Sequence, residues 1–336
     1  MLKLVGDICL TDGYFDVGFG VGSKLKQGFD PFEHVQRNNE DIWIGNFEGV
    51  AANSTNKTGL ASQWFRVKPE YLKHIHHFDV YGLANNHAMQ HGEAAYRETV
   101  ESLYSLGSKV CMGGTILDYH GKKISVTALS VRVDSFSEKP LYWHNPEYSE
   151  IEEKLENLPS DAYKILYVHW GNEFVNYPSS QQKKFAHWLI DVGFDLIIGM
   201  HPHILQGYEV YNKKYIFYSL GNFVFDMAWE PTHYGAIVNM DFVGAEPRIS
   251  FDYVKIGEDY SPRVIDEAEV PSVCCFKELN KLIAIEENSE EYHNTINKYY
   301  RQYRKANRKD ILKKMFKHPS AAKGIIKDFI NRRLKN

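Results

Sequence analysis

No apolar run in this 336-residue chain approaches the roughly 18 residues that a bilayer-spanning helix needs. The chain enters a strand-like run at Leu2 without a charged, apolar and small-residue leader before it, so the expected location is cytoplasmic, with peripheral attachment to the inner face of a membrane left open. Cysteine is scarce. Cys9, Cys111, Cys274 and Cys275 form no Cys-x-x-Cys pair, which argues against a disulfide framework or a zinc ribbon, and adjacent Cys274 and Cys275 are poorly placed to bridge each other. Internal repeats and low-complexity tracts are also missing, which excludes a solenoid. With 43% hydrophobic and 24% charged residues, the composition is that of a globular chain, not a disordered one.

Net charge is small at -4, but it is unevenly spread: Lys298 to Asn336 carries 14 Lys plus Arg against 2 Asp (+12), leaving 25 basic against 41 acidic residues (-16) before it. Body and tail therefore face different partners, or each other. Up to about Asp226, β-rich runs alternate with helical patterns such as Tyr96 to Leu106 and Gln181 to Val192, which predicts a layered α/β fold. Two antiparallel strands are expected over His233 to Phe242 and Arg248 to Ile256. Past about Val270 the pattern turns to polar helix. Pro319-Ser320 divides the tail, and Ile325, Ile326, Phe329, Ile330 and Leu334 follow at helical spacing. The expected division is a domain over 1–270 and a basic helical extension over 271–336.

What the chain has in quantity is metal-ligating side chains at the ends of apolar runs. Asp7 follows Leu2 to Gly6, Glu48 follows Ile42 to Phe47, and Asn85-Asn86-His87 follows Val80 to Ala84. His169-Trp170-Gly171 follows Ile165 to Val168, and His201-Pro202-His203 follows Leu196 to Ile198. A single His-Pro-His can be a mere turn; five such clusters at strand ends point to one centre. Carboxylate oxygens, an amide oxygen and imidazoles together suit one or two divalent ions, with Mn, Fe or Zn favoured over Ca or Mg. Such ions assist hydrolysis, and His87 beside Asn86 is positioned to protonate a leaving group or hold a transition-state oxygen.

These residues carry a resemblance. Gly6-Asp7, Asp30-Pro31-Phe32, Ile44 to Gly49, Phe65 to Glu70, Leu83 to His87, His169 to Glu173 and the block Gly199 to Asp226 resemble, in order, the CapA family of capsule and poly-γ-glutamate biosynthesis proteins, within the calcineurin-like metallophosphoesterase superfamily. The resemblance covers roughly residues 1 to 245 and not the tail. It implies a four-layer αββα sandwich, one ion held by Asp7, Glu48 and His203, a second held by Glu48, Asn86, His169 and His201, and His87 as the catalytic histidine. Two departures stand out. Asp7 is followed by Ile8 and Cys9 where the superfamily usually has Asp-x-His, and Met89-Gln90-His91-Gly92 stands where the family often has an Asp before an aromatic residue and Gly.

Cys9 can fill the first vacancy as a thiolate or be a buried apolar Cys. Glu173 is the expected orienter of His87 or a substrate contact, with plain surface exposure as the alternative. Arg66 and Lys68 can grip an anionic substrate or make structural ion pairs, and Asn222 can contact substrate or satisfy loop backbone. Trp170 and Trp229 are the aromatic residues expected nearest the cleft. The expected function is a metal-dependent hydrolase acting on a phosphoester or polymer linkage in capsule, poly-γ-glutamate or exopolysaccharide synthesis. A noncatalytic polymer-binding or assembly component is the alternative. The expected partners are an anionic polymer or phosphoester and, through the basic tail, an anionic membrane surface; no nucleic-acid motif accompanies the charge.

Overall fold

The computed structural model describes residues 1–14, 16–244, 246–285 and 289–333. The chain runs β1 (Leu2–Ile8), α1 (Val21–Leu25), β2 (Ile42–Phe47), β3 (Val50–Ala51), β4 (Arg66–Val67), β5 (Val80–Gly82), α2 (Glu93–Ser105), β6 (Lys109–Cys111), β7 (Thr115–Tyr119), β8 (Lys122–Ser130) and α3 (Tyr148–Glu156). It continues through β9 (Tyr163–His169), α4 (Ser180–Val192), β10 (Leu196–Met200), β11 (Leu205–Tyr211), β12 (Lys214–Leu220), β13 (Asn222–Val224), β14 (Tyr234–Val243), β15 (Glu246–Ile256) and β16 (Pro262–Ile265). Three helices close it: α5 (Phe276–Ile283), α6 (Ser289–Lys317) and α7 (Pro319–Arg333).

The strands form two mixed sheets. One has the order β16-β15-β14-β1-β2-β5-β6, with β13 also paired to β1, and the other has the order β11-β12-β10-β9-β8-β7. In the first, β1, β2, β5 and β6 run parallel and β14 to β16 are antiparallel; in the second, β12, β10, β9 and β8 run parallel between antiparallel edge strands β11 and β7. The sheets share one core: Leu4, Ile44 and Tyr81 from the first pack with Val126, Ile165, Ile198 and Phe217 from the second. The Tyr167 hydroxyl crosses between them to the Ile44 carbonyl at 2.9 Å. A second core lies on the outer side of the second sheet, where Ile151 and Leu155 of α3 and Ala186, Leu189 and Ile190 of α4 cover Leu166, Val168 and Ile197.

Local chemistry explains why these segments take these forms. At α4, the Ser179 hydroxyl accepts the Gln182 N–H while the Gln182 side chain accepts the Ser179 N–H, a reciprocal cap, and Gly193 at φ +131° ends the helix. Near-continuous apolar burial in β9 and β10 is what a strand covered on both faces requires.

Register sets the chemistry. Ser130, His169 and Met200 are consecutive partners across β8, β9 and β10, and Asp7 pairs with Asn46 and Asn222 across β2 and β13. Parallel strands ending at one level present their carboxyl ends to a common crevice. Gly6 and Gly199 permit the closest backbone approaches there: an added Cβ would lie 2.0 Å from the Gly221 carbonyl oxygen and 2.1 Å from that of Tyr218.

Beyond the expected boundary at 270, Cys274, Cys275, Phe276 and Leu279 belong to the main core. The tail divides at His318, between α6 and α7, as Pro319 dictates. Of the expected apolar stripe, Leu334 and the side chain of Phe329 lie outside the described residues.

Candidate metal centre

Each expected ligand sits at or just beyond a strand's carboxyl end: Asp7 on β1, Glu48 after β2, Asn86 and His87 after β5, His169 at the end of β9, and His201 and His203 after β10. His201 (φ +93°) and His203 (φ +59°) both adopt left-handed backbone conformations that non-glycine residues seldom take. Strain of this kind is held in place by surrounding structure and concentrates where side chains must be aimed.

Asp7 is fully buried, accepting hydrogen bonds from the Asn46 amide at 2.8 Å and from the His201 backbone N–H at 3.0 Å. Burial outweighs those bonds and pushes its carboxyl up to about 6. Glu48 is also fully buried, and neither of its oxygens has a hydrogen-bond partner among the described residues. Burial, then the neighbouring Asp7, raise its proton affinity well above the ordinary range. The same lack of a partner holds for His169 Nδ1 and for both ring nitrogens of His201. His169 Nε2 lies 2.7 Å from the Asn86 oxygen, and His203 Nδ1 lies 3.0 Å from the Asn222 oxygen. Burial drives all three histidines toward the neutral form, His203 to about 3.

A buried polar atom without a partner is costly, and five of them on the neighbouring side chains Glu48, His169 and His201 require something to satisfy them. Neutral imidazoles and carboxylates in excess of nearby positive charge are the donor set that a divalent cation takes. The residues present therefore fit such an ion. The ligand atoms fall into two groups, each within 4.8 Å: Asp7, Glu48 and His169 in one, and Glu173, His201 and His203 in the other. This division differs from the one the resemblance implies. The groups adjoin, since His203 stands 3.6 Å from Asp7 and 3.7 Å from Glu48.

His87 stacks on Phe65 with ring centroids 3.7 Å apart and planes 2° from parallel, and its Nε2 is 3.7 Å from Glu48. Its Nδ1 is held at 2.6 Å by the Gln90 side chain. Burial lowers the imidazole to about 4 despite that bond. Gln90, not Glu173, is thus the side chain hydrogen-bonded to the His87 ring. Glu173 lines the same cavity, its carboxyl raised by burial against the pull of Arg132.

Arg66 and Lys68 are not brought into the centre. The Arg66 guanidinium donates to the carbonyls of Ser62, Ala52 and Asn53, clamping loop backbone, and Lys68 is half-exposed opposite Glu70 at 3.7 Å. Asn222 orients His203 while its amide donates to the Thr232 carbonyl at 3.1 Å. Cys9 is a buried thiol beside the Thr11 hydroxyl, its proton held by burial, and it joins neither ligand group. Trp170 is buried with its indole N–H donated to the Tyr218 carbonyl, a structural role.

Two contributors escaped the sequence reading though signals existed. Gln90 is three residues past His87, within reach of its ring along a tight turn. Arg132 follows the end of β8, whose Ser130 pairs with His169, so it occupies the same strand-end position as the ligands. Its guanidinium donates to the Gly171 carbonyl at 2.7 Å. Nothing in the sequence pointed to Tyr300 and Tyr303 of α6, which also line the cavity.

Residues 1–227 match the family model described as "Bacterial capsule synthesis protein PGA_cap". The PGA biosynthesis protein CapA of Bacillus subtilis (strain 168) is 32% identical over 218 residues, covering 59% of this chain and 57% of that protein. The capsule biosynthesis protein CapA of Bacillus anthracis is 30% identical over 231 residues, covering 62% and 56%. The chain thus spans little more than half the length of these relatives. A 5'-nucleotidase from Candida albicans SC5314 aligns at a TM-score of 0.43 and 12% identity over 91% of this chain and 58% of that one, a likeness too distant to carry an argument about chemistry. With the family's pattern running through residues 1–227 and its strand-end residues gathered at one buried centre, the chain belongs to the bacterial capsule synthesis protein family PGA_cap.

Proposed function

We propose that this chain is a metal-dependent hydrolase of the metallophosphoesterase kind, built on a four-layer αββα sandwich and acting on a phosphoester or polymer linkage during synthesis of a capsule-type polymer. The observation that carries the proposal is the convergence of partnerless buried atoms from Glu48, His169 and His201 beside a cavity at the strand ends. Asp7, Glu48, Asn86, His169, His201 and His203 would hold one or two divalent ions, with Mn, Fe or Zn favoured by the donor set. Bound there, such ions would supply Lewis acidity toward the oxygens of the scissile group.

The chain's own groups divide the proton work. Gln90 presents its oxygen to His87 Nδ1, so Nδ1 carries the hydrogen and the Nε2 lone pair faces the cleft. Burial, against the pull of that bond, leaves this ring unprotonated, with Nε2 free to accept a proton. Glu173, with its proton affinity raised by burial, is the group suited to return one to the leaving oxygen. The test is metal-reconstituted protein assayed on phosphodiesters and cell-surface polymers beside His87→Ala and His201→Ala. Rates equal to background in all three would sink the catalytic reading. Retained metal binding without turnover would favour a polymer-binding assembly role, which Cys9 in place of the superfamily's histidine and the basic tail also suggest.

We also propose that α6 seats the protein on an anionic membrane face. Arg301, Arg304, Lys305, Arg308 and Lys309 are exposed along one stripe, which continues into Leu312 (64% exposed) and Phe316 (92% exposed). Cations beside protruding apolar side chains suit a headgroup boundary. No helix among the described residues is long and apolar enough to cross a membrane. Co-sedimentation with phosphatidylglycerol vesicles, lost in high salt and weakened in Phe316→Ala, is expected; equal binding to pure phosphatidylcholine, or binding only to polyglutamate or nucleic acid, would contradict it.

A further inference from the structure

The cavity beside the metal centre measures about 270 Å³, and its lining includes His87, Glu173, His203 and Phe174 together with Tyr300 and Tyr303. The last two come from α6, beyond the 1–227 span of the family match. Tyr303 stacks on Phe174 at 4.0 Å with planes 22° apart, and Phe174 in turn lies 6.3 Å from the His203 ring. Phe174 holds φ +67°, a left-handed conformation that turns its ring into this stack.

α6 is fastened along its length. Near its start, the Tyr292 hydroxyl accepts the Asn172 amide at 3.2 Å. At its middle, the buried Asn307 accepts the Ala228 N–H at 3.2 Å. Toward its end, Lys314 forms an ion pair with Asp16, inside a buried acidic group that also includes Asp12 and Asp226. Burial alone would lower Lys314, but Asp16, Tyr260 and Asp310 together outweigh it and keep the ammonium charged. Withdrawing Lys314 would leave Asp16 buried without its cation, so the latch resists opening.

We propose that α6 is the specificity element of this site: Tyr300 and Tyr303 contact the substrate, and the Lys314–Asp16 latch holds them over the metal centre. A cavity just below the ordinary 300–1,000 Å³ range of ligand pockets has room for about one sugar-sized unit. The roofed site therefore takes a chain end or a small ester and excludes the interior of a polymer. Phe65 and Phe174 are buried and stacked on His87 and Tyr303, which leaves Tyr300 and Tyr303 as the aromatic side chains to meet a ring with an apolar face and polar edges. The word substrate rests on the hydrolase reading; the placement of the roof does not.

The test uses the full chain with two variants, Lys314→Met and Tyr303→Ala. The first readouts need no turnover: hydrogen exchange of residues 295–317, and the rate at which a chelator strips bound Mn or Zn. Lys314→Met should speed both by about tenfold or more, since local opening governs access, while Lys314→Arg restores the wild-type rates. The second readout is hydrolysis of a small chromogenic phosphodiester against an end-blocked polymer. Tyr303→Ala should raise KM for the small ester up to about tenfold, the scale of a lost aromatic contact, and admit the blocked polymer. Unchanged exchange and stripping in Lys314→Met would overturn the latch, and an unchanged KM in Tyr303→Ala would overturn substrate contact. Wild-type protein that strips slowly yet turns over nothing would defeat the hydrolase reading and leave the roof standing.

Discussion

Replacing Glu48 by Gln should change the sign of its effect on stability according to whether metal is present. Glu48 is fully buried, both its oxygens lack partners, and Asp7 is its neighbour. In chelator, its carboxyl must hold a proton or stand as an unpaired anion, a penalty of about 1–3 kcal/mol that a neutral amide removes. The new NH₂ can also donate toward His87 Nε2 or His203 Nε2, both 3.7 Å from the present oxygen. With metal at about 1,000 times Kd, the wild type gains about 4.1 kcal/mol, most of which the variant forfeits with its ligand. At about 2.1 cal/mol/K per residue, a chain of 336 residues has an unfolding entropy near 0.7 kcal/mol/K, so each kcal/mol moves Tm by about 1.4 °C. Thermal unfolding by circular dichroism should therefore show Glu48→Gln about 1–4 °C above wild type in chelator and a similar amount below it in saturating Mn or Zn. A shift of the same sign in both buffers would refute the reasoning.

Three further outcomes follow from the same geometry. In chelator, burial keeps protons on Asp7 (about 6) and Glu48 but removes them from His87 (about 4), His169, His201 and His203 (about 3), which the unfolded state protonates below about 6.5; four histidines outnumber two carboxyls, so stability should rise as pH climbs from about 4 to about 6.5; urea titrations across that window check this, and saturating metal should steepen the rise because ligands must shed protons to bind. Gln90→Leu should cut turnover by about 10- to 100-fold, within the range of a positioned proton-transfer group, while elemental analysis shows metal content unchanged. Arg66→Ala should lower stability by about 1–3 kcal/mol through the three carbonyls it leaves unpaired, with KM for an anionic substrate unmoved; a raised KM at unchanged stability would restore the anion-gripping role.

The strand-end ligands could be read from sequence because a buried parallel strand announces itself as an apolar run, and the next polar residue has nowhere to go but the crevice at its end. Ile42–Phe47 before Glu48 and Leu196–Met200 before His201 show that logic in the fold. The helices over Glu93–Ser105 and Ser180–Val192 followed from their periodicity. Roles set by direction were less readable. Arg66 has the chemistry to grip an anion, yet nearby carbonyls capture its donors, and no spacing rule foretells that competition. Likewise, the tail's charge was plain, but that Lys314 would turn inward to Asp16 while Arg301, Arg304 and Arg308 face outward depends on how α6 docks across a sequence separation of nearly 300 residues.

The central claim is that Asp7, Glu48, His169, His201 and His203 hold metal. Elemental analysis of the purified chain, paired with anomalous diffraction at the Mn, Fe and Zn edges, tests it most directly. The account predicts one or two ions among these side chains, with His201→Ala and His203→Ala each losing occupancy. A chain that stays metal-free after exposure to all three ions, or that places them elsewhere, would contradict it.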